Sequence, residues 1–225
     1  EKGVDLTYIG MISLVQIPYT WKFLWAPFLD RFVPPFLGRR RGWLLIAQVA
    51  LMTAIVGLGY SDPVNNTGLM IAAAVLVAFF SATQDIIIDA YRREDLADEE
   101  LGLGSSMYVY GYRLGMLLAS GGGLILADHM SFSTVYFLMS LCMLPGILTT
   151  LLTPEPEVVA GAPQTMKEAV VEPFVDYFSR TGAIWILVFI LLYKIGDTMA
   201  SGITMPFYLE TGFSKTEIGT VLKFF

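Results

Sequence analysis

Six apolar runs dominate this chain, and each is long enough to cross a bilayer: residues 7–29, 43–60, 69–91, 104–127, 134–152 and 182–209, with a seventh opening at 216. A helix rises about 1.5 Å per residue and the hydrocarbon core is about 30 Å thick, so some 20 apolar residues make one crossing. Inside lipid every backbone N–H and C=O must be satisfied internally, and consecutive runs of this length leave only helices. The expected class is therefore an all-α membrane protein. Composition agrees: 55% of the 225 residues are hydrophobic, 15% are charged, and mean hydropathy is +0.63. A formal net charge of -6 and a pI near 4.8 argue against nucleic acid as a partner. The single Cys142 and the single His129 offer neither an intrachain disulfide nor a metal cluster.

The connections set the topology. Residues 61–68, 128–133 and 210–215 are short and rich in turn formers. Cationic residues fall unevenly between the two sides: Arg31, Arg39, Arg40, Arg41, Arg92, Arg93, Lys167 and Arg180 on one, Lys2 and Lys215 on the other. The positive-inside rule makes loops 30–42, 91–103 and 153–181 cytoplasmic. The longest of them carries Val170, Val171, Phe174, Val175 and Phe178 at helical spacing, which predicts an amphipathic helix on the membrane surface despite Pro173. Lys22, Arg113, Lys194 and Lys223 lie within spans, where a cation is costly and a functional role is the default reading.

A short internal repeat bears on organisation. Gly3, Thr7, Ile9 and Gly10 recur as Gly212, Thr216, Ile218 and Gly219 at an offset of 209 residues. Shifting the 182–209 span back by that offset places its counterpart just before Glu1. The expected architecture is thus a transporter of two parallel six-helix halves, here holding the second to seventh helices of a twelve-helix core and the start of the eighth. In that reading residues 1–152 are the N-terminal half without its first helix, 153–181 the inter-half linker and 182–225 the start of the C-terminal half, and the remainder of the same polypeptide is a required partner.

Asp30-Arg31 ends the first span, and Gly38-Arg39-Arg40-Arg41 opens the second. This loop is similar to the Asp-Arg-x-Gly-Arg-Arg loop of the major facilitator superfamily, with six residues where that pattern has one and Ala26 where it usually has Gly. Asp30, Arg31, Gly38, Arg39 and Arg40 are then candidates for a conformational latch, in which Asp30 meets a helix N-terminus or a cation of the other half. The plainer alternative is that the arginines only obey the positive-inside rule.

Further words recur along the whole chain: Tyr19 to Pro27 (YTWKFLWAP), Gly38 to Trp43 (GRRRGW), Ser81 to Ala90 (SATQDIIIDA), Gly111 to Met116 (GYRLGM) and Tyr193 to Asp197 (YKIGD). Together they resemble the AmpG family of bacterial muropeptide permeases. The resemblance implies proton-driven import of N-acetylglucosaminyl-anhydro-N-acetylmuramic acid, with or without a stem peptide, across the inner membrane for peptidoglycan recycling and, in some bacteria, β-lactamase induction. It implies no cofactor beyond the proton gradient. Acetyl-CoA transporters share the Leu-Trp-Ala-Pro and Ala-Thr-Gln-Asp words and are the nearest rival, with Gly111 to Met116 favouring the permeases. An intramembrane enzyme using paired Asp residues is the contrasting class, and it lacks a convergent nucleophile, base or metal set.

The charges within the spans supply the candidate site. Asp85 and Asp89 share one helix face. Burial favours the neutral acid and a nearby cation favours the anion, so Asp85 is a candidate proton carrier or else a fixed ion pair. Asp89, nearer the headgroups, couples protons, gates or simply reaches outward. Arg113 stands at a depth overlapping that of Asp85, where pairing with it, a strut between helices and a site for a cargo carboxylate are all open, with Tyr112 beside it. Lys194 and Asp197, flanked by Tyr193, lie at mid-depth of the 182–209 span and are either a neutralising pair or part of the cargo and proton site. Lys22 beside Trp21 snorkels to the cytoplasmic side or touches a sugar. Gln84 meets an N-acetyl amide or bridges helices.

Overall fold

The computed structural model describes residues 15–62, 66–157, 163 and 165–212, with the side chains of all but 166 and 197–210. The run opening at 216 and both copies of the repeat, Gly212 apart, lie outside these residues. All regular structure among the described residues is helical, and the chain divides into two compact units, Glu1–Ala169 and Val170–Phe225.

In the first unit the expected 7–29 span is described from residue 15 and is interrupted. It consists of α1 (Ile17–Trp21), a tight 3-10 turn (Lys22–Leu24) and α2 (Ala26–Arg31). Proline explains the break. Pro27 has no N–H for the carbonyl of Phe23, four residues back, and its ring crowds that carbonyl, so a continuous helix cannot pass. Each proline sits in the first turn of its own short helix, where that N–H is not needed.

Two uninterrupted helices follow, α3 (Arg39–Gly59) and α4 (Thr67–Asp95). The 29 residues of α4 extend about 43 Å, well beyond a hydrocarbon core of about 30 Å, which leaves its Arg92–Asp95 end in the headgroup region. The next run divides into α5 (Leu101–Leu117), one π-turn (Leu118–Gly122) and α6 (Gly123–Ala127). The last of this unit divides into α7 (Phe132–Leu141) and α8 (Leu144–Leu152), parted just before Pro145. Among the residues whose side chains are described, three segments are long and apolar enough to cross a membrane on their own: α3, α4 and residues 132–152.

α3 is the centre of the unit, with α4 along one side and α7 and α8 along the other, while α1 lies on α4 and α2 packs against both α3 and α4. Leu29, Leu44, Ala47 and Ile87 form the buried core, surrounded by Trp25, Trp43, Ile86 and Ile88. Gly59 lets α7 approach, since a Cβ there would stand 2.5 Å from Cβ of Tyr136. Buried Thr150 donates to Oε1 of buried Gln48 at 3.0 Å, tying α8 to α3. α5 has no buried residue. Gly111, Gly115, Gly121, Gly122 and Gly123, whose composition suggests close helix packing, meet nothing within 4 Å of a Cβ position among the described residues.

α9 (Met166–Ser179) begins in the last residues of the first unit and runs into the second, where it precedes α10 (Ala183–Glu210), which is 28 residues long. The two meet at 99° across Gly182, whose φ of +85° suits glycine.

Candidate functional site

The break between α1 and α2 determines what the middle of the first unit can do. It presents Lys22 from a turn, and the ammonium reaches α4, where Nζ lies 2.5 Å from Oδ2 of Asp85. Two neutral links flank this ion pair: Tyr19 and Ser81 hydroxyls 2.6 Å apart, and Trp25 Nε1 donating to Thr83 Oγ1 at 3.1 Å. The other carboxylate oxygen of Asp85 accepts from Tyr108 Oη of α5 at 2.7 Å. The Arg92 guanidinium lies 4.8 Å from the centre of the Tyr108 ring and donates to Asp89 Oδ1 at 2.9 Å. The result is a run of alternating charge, Lys22, Asp85, Tyr108, Arg92, Asp89, linking three elements. It is open: the side chains of Lys22 and Asp85 keep 35% and 25% of their surface exposed. Beside it, Gln84 has a buried Oε1 without a hydrogen-bond donor among the described residues.

Two expectations change here. Lys22, expected to snorkel or to touch a sugar, is paired with Asp85. Arg113 does not pair with Asp85, because Tyr108 occupies that position and five further residues turn α5 by about 140°. Arg113 instead lines a shallow depression with Ser105, Ser106, Val109 and Tyr110. Tyr112 is exposed. Trp21 is exposed and stacks on Phe23 with ring centres 6.1 Å apart. In the second unit, Tyr193 stacks on Phe189 at 6.3 Å, and Lys194 is exposed on α10. Asp197 lies within α10, with its side chain outside what is described.

A second cluster occupies the Arg-rich end, where α2, α4 and α8 finish and α3 and α5 begin. Arg40 donates Nη1 to Asp30 at 2.6 Å and Nε to Glu94 at 2.9 Å, while its Nη2 pairs with the other Glu94 oxygen. Arg39 adds a bond to Glu94 at 2.9 Å. The first amides of α3 also find an acid: Arg40 N and Arg41 N donate to the two Glu155 oxygens at 2.7 and 3.0 Å. Arg41 in turn caps α8, donating to the carbonyls of Thr150 and Leu151 at 2.8 Å each. Tyr91 donates to the Pro154 carbonyl at 2.7 Å. Gly38 makes this possible. Its φ of +87° is a glycine conformation, and a Cβ would stand 2.7 Å from Glu155 Cδ.

The expected latch is thus assembled differently. Asp30 meets a cation of its own unit, and Glu155 rather than Asp30 takes the helix N-terminus. Pro154 and Glu155, at the start of the expected linker, are bound to the Arg-rich end. Arg31 makes a cation–π contact with Phe32 at 5.5 Å. Glu94, Glu155 and Tyr108 were not singled out as site residues from sequence. Glu94 carried a usable signal as the acid directly after Arg92 and Arg93, but nothing local to Glu155 announces a partner 115 positions away. Among the described residues no group of three His, Cys, Asp or Glu side chains could hold a metal ion.

A chain of apolar helices, broken by proline where a charge pair crosses between them, with an Asp and a Gly-Arg-Arg word on the connecting loop, has the features of a membrane transporter. The profile of the Major Facilitator Superfamily matches residues 2–225, and the chain belongs to that superfamily. Within it, the sequence is 45% identical to the anhydromuropeptide permease of Escherichia coli K12 over 224 residues, 99% of this chain and 46% of that protein. It is 43% identical to an uncharacterized protein of Haemophilus influenzae over 228 residues, 99% of this chain and 54% of that one. The chain spans about half the length of these curated relatives.

Proposed function

We propose that this chain holds most of the N-terminal half, the inter-half linker and the start of the C-terminal half of a proton-coupled secondary transporter that imports anhydromuropeptides through the bacterial inner membrane, and that it is not an enzyme. The observation carrying this reading is the Lys22–Asp85 pair held at a helix break in a chain 45% identical to a named permease. Discontinuous helices near mid-depth are where secondary transporters build ion and substrate sites.

In this reading Asp85 carries the proton. As an anion it holds Lys22 and accepts from Tyr108. Once protonated it no longer neutralises the ammonium, and Lys22 becomes available to an anionic group of the cargo. Proton and cargo therefore favour each other's binding, which is symport. Asp89, paired with Arg92 closer to the Arg-rich end, assists proton passage, and Asp197 contributes from the other half. Gln84, Trp21, Tyr112, Arg113, Tyr193 and Lys194 are the remaining cargo-site candidates. The Arg-rich cluster, on the cytoplasmic side in this orientation, keeps the helix ends together while the halves move. The lipid bilayer and the rest of the polypeptide complete the machine.

The test is uptake by vesicles carrying the full-length protein, with labelled anhydromuropeptide set against acetyl-CoA. Accumulation of the muropeptide that collapses when a protonophore is added is the expected result. Uptake of acetyl-CoA alone, or muropeptide uptake indifferent to the protonophore, would overturn the proposal.

A further inference from the structure

α5 carries three tyrosines, and two of them, Tyr110 and Tyr112, are exposed. Tyr108 is half-buried against α4 and makes two contacts of different kinds there: its hydroxyl donates to Asp85 Oδ1 at 2.7 Å, and its ring lies 4.8 Å beneath the Arg92 guanidinium. Asp85, Asp89 and Arg92 follow at i, i+4 and i+7 and so share one face of α4. Arg92 is held in turn by Asp89 at 2.9 Å. The phenol thus lies along two helical turns, with its ring against a cation and its hydroxyl on a carboxylate. A cation over the ring face is attracted to it, draws electron density from it and makes the O–H a better donor. The charged and titratable groups facing Asp85 among the described residues are Lys22 from the turn, Tyr108 from α5, and Asp89 and Arg92 from α4 itself. Tyr19 of α1 engages Ser81 instead, and the arginines of α3 engage Asp30, Glu94 and the end of α8.

We propose that Tyr108 is a positioning residue for proton coupling: aimed by Arg92 and Asp89, it holds the Asp85 carboxyl in place through both charge states and sets the pH at which cargo exchange falls away. The inference rests on the reading of Asp85 as the proton carrier. The two partners of Asp85 differ in how firmly they are held. Lys22 approaches Oδ2 on a flexible stem and is partly exposed. Tyr108 is fixed at both ends, by the carboxylate and by the guanidinium. When a proton from water adds to the carboxylate, the Lys22 N–H bond to it breaks and the ammonium leaves with its own protons. Tyr108 stays, because a phenol also donates to the carbonyl oxygen of a neutral acid. Its bond to the anion is the stronger of the two, roughly twofold for a charged acceptor. The bond therefore favours the anion and sets how acidic the medium must be before Asp85 takes its proton.

The test follows exchange of labelled anhydromuropeptide without a gradient, as a function of pH, in proteoliposomes of the full-length protein. Exchange falls as Asp85 loses its proton and recaptures Lys22. Tyr108→Phe keeps the ring beneath Arg92 and removes the bond that favours the anion, so the fall moves toward alkaline pH by about one unit, the scale of a hydrogen bond to a charged acceptor. A ring-fluorinated tyrosine at position 108, similar in shape and a stronger donor, moves the fall the opposite way and serves as the readout where Tyr108→Phe does not reconstitute. Arg92→Gln moves it toward alkaline pH, and by less than half as much beside Tyr108→Phe, because most of its effect passes through the phenol. A fall unmoved in both position-108 variants would overturn the proposal, and equal Arg92→Gln shifts in the two backgrounds would overturn the aiming by Arg92. Asp85→Asn separates this proposal from the reading beneath it. Exchange indifferent to pH in Asp85→Asn, with the position-108 variants unmoved, overturns the positioning role alone. Exchange in Asp85→Asn that still falls as in wild type overturns the proton carrier and the positioning role together.

Discussion

The two charged clusters of the first unit use similar residues to opposite ends. At the Arg-rich end, Arg40 has only 7% of its side chain exposed and is held by two acids, Glu94 engages two arginines, and Glu155 closes the start of α3. Arg40, Glu94 and Glu155 each make several contacts there, so loss of Arg40 leaves its acidic partners unsatisfied. At the helix break, Lys22 has the single partner Asp85 among the described residues, and both remain partly exposed. Buried charges with several partners define a rigid shape, whereas an exposed pair with one link on the cation side can open and close at low cost. In the function proposed above, the first cluster serves as scaffold and the second as machinery.

That contrast makes quantitative expectations for thermal unfolding of the detergent-purified full-length protein. Arg40→Ala has the largest effect. It strips Asp30 of its cation and leaves Glu94 with Arg39 alone, for a loss of roughly 3 kcal/mol. Arg40→Lys recovers only part of this, because a lysine keeps the charge and loses the fork. A melting temperature unchanged in Arg40→Ala would mean that the buried network is not scaffold. Gly38→Ala comes next, at roughly 2 kcal/mol, since the backbone there has a conformation nearly exclusive to glycine. Pairing it with Glu155→Ala sharpens the point, because removing the colliding carboxylate relieves the clash but not the backbone strain. Lys22→Gln is the smallest, below about 1 kcal/mol, as befits a partly exposed pair. Destabilisation by Lys22→Gln equal to that of Arg40→Ala would erase the distinction between the clusters.

What could be read from sequence divides along the same line. The helices announce themselves through run length, and their ends through Pro18, Pro27, Pro145 and Gly182, because these act within a few residues of where they stand. The all-α membrane class and the superfamily therefore followed from local signals and short words. Pairings across the fold did not. Asp85 and Lys22 are 63 positions apart and Glu155 and Arg40 are 115 apart, and depth along a span does not fix rotation about its axis. That is why Arg113 looked suited to Asp85 while Tyr108, on the correct face, holds it. The interruption of the first span at Lys22 could have been inferred from Pro27, and it would have pointed Lys22 toward a partner rather than toward the headgroups.

Asp85→Asn in the full-length protein tests the division most directly, with uphill accumulation driven by a pH gradient and exchange without a gradient measured in the same proteoliposomes. Asparagine keeps the shape of the site and cannot ionise. The expected result is loss of accumulation with cargo exchange retained and a melting temperature within a degree or two of wild type, as for an exposed pair worth less than about 1 kcal/mol. Accumulation at the wild-type level would contradict the assignment of Asp85 as the proton carrier and return the Lys22–Asp85 pair to the scaffold.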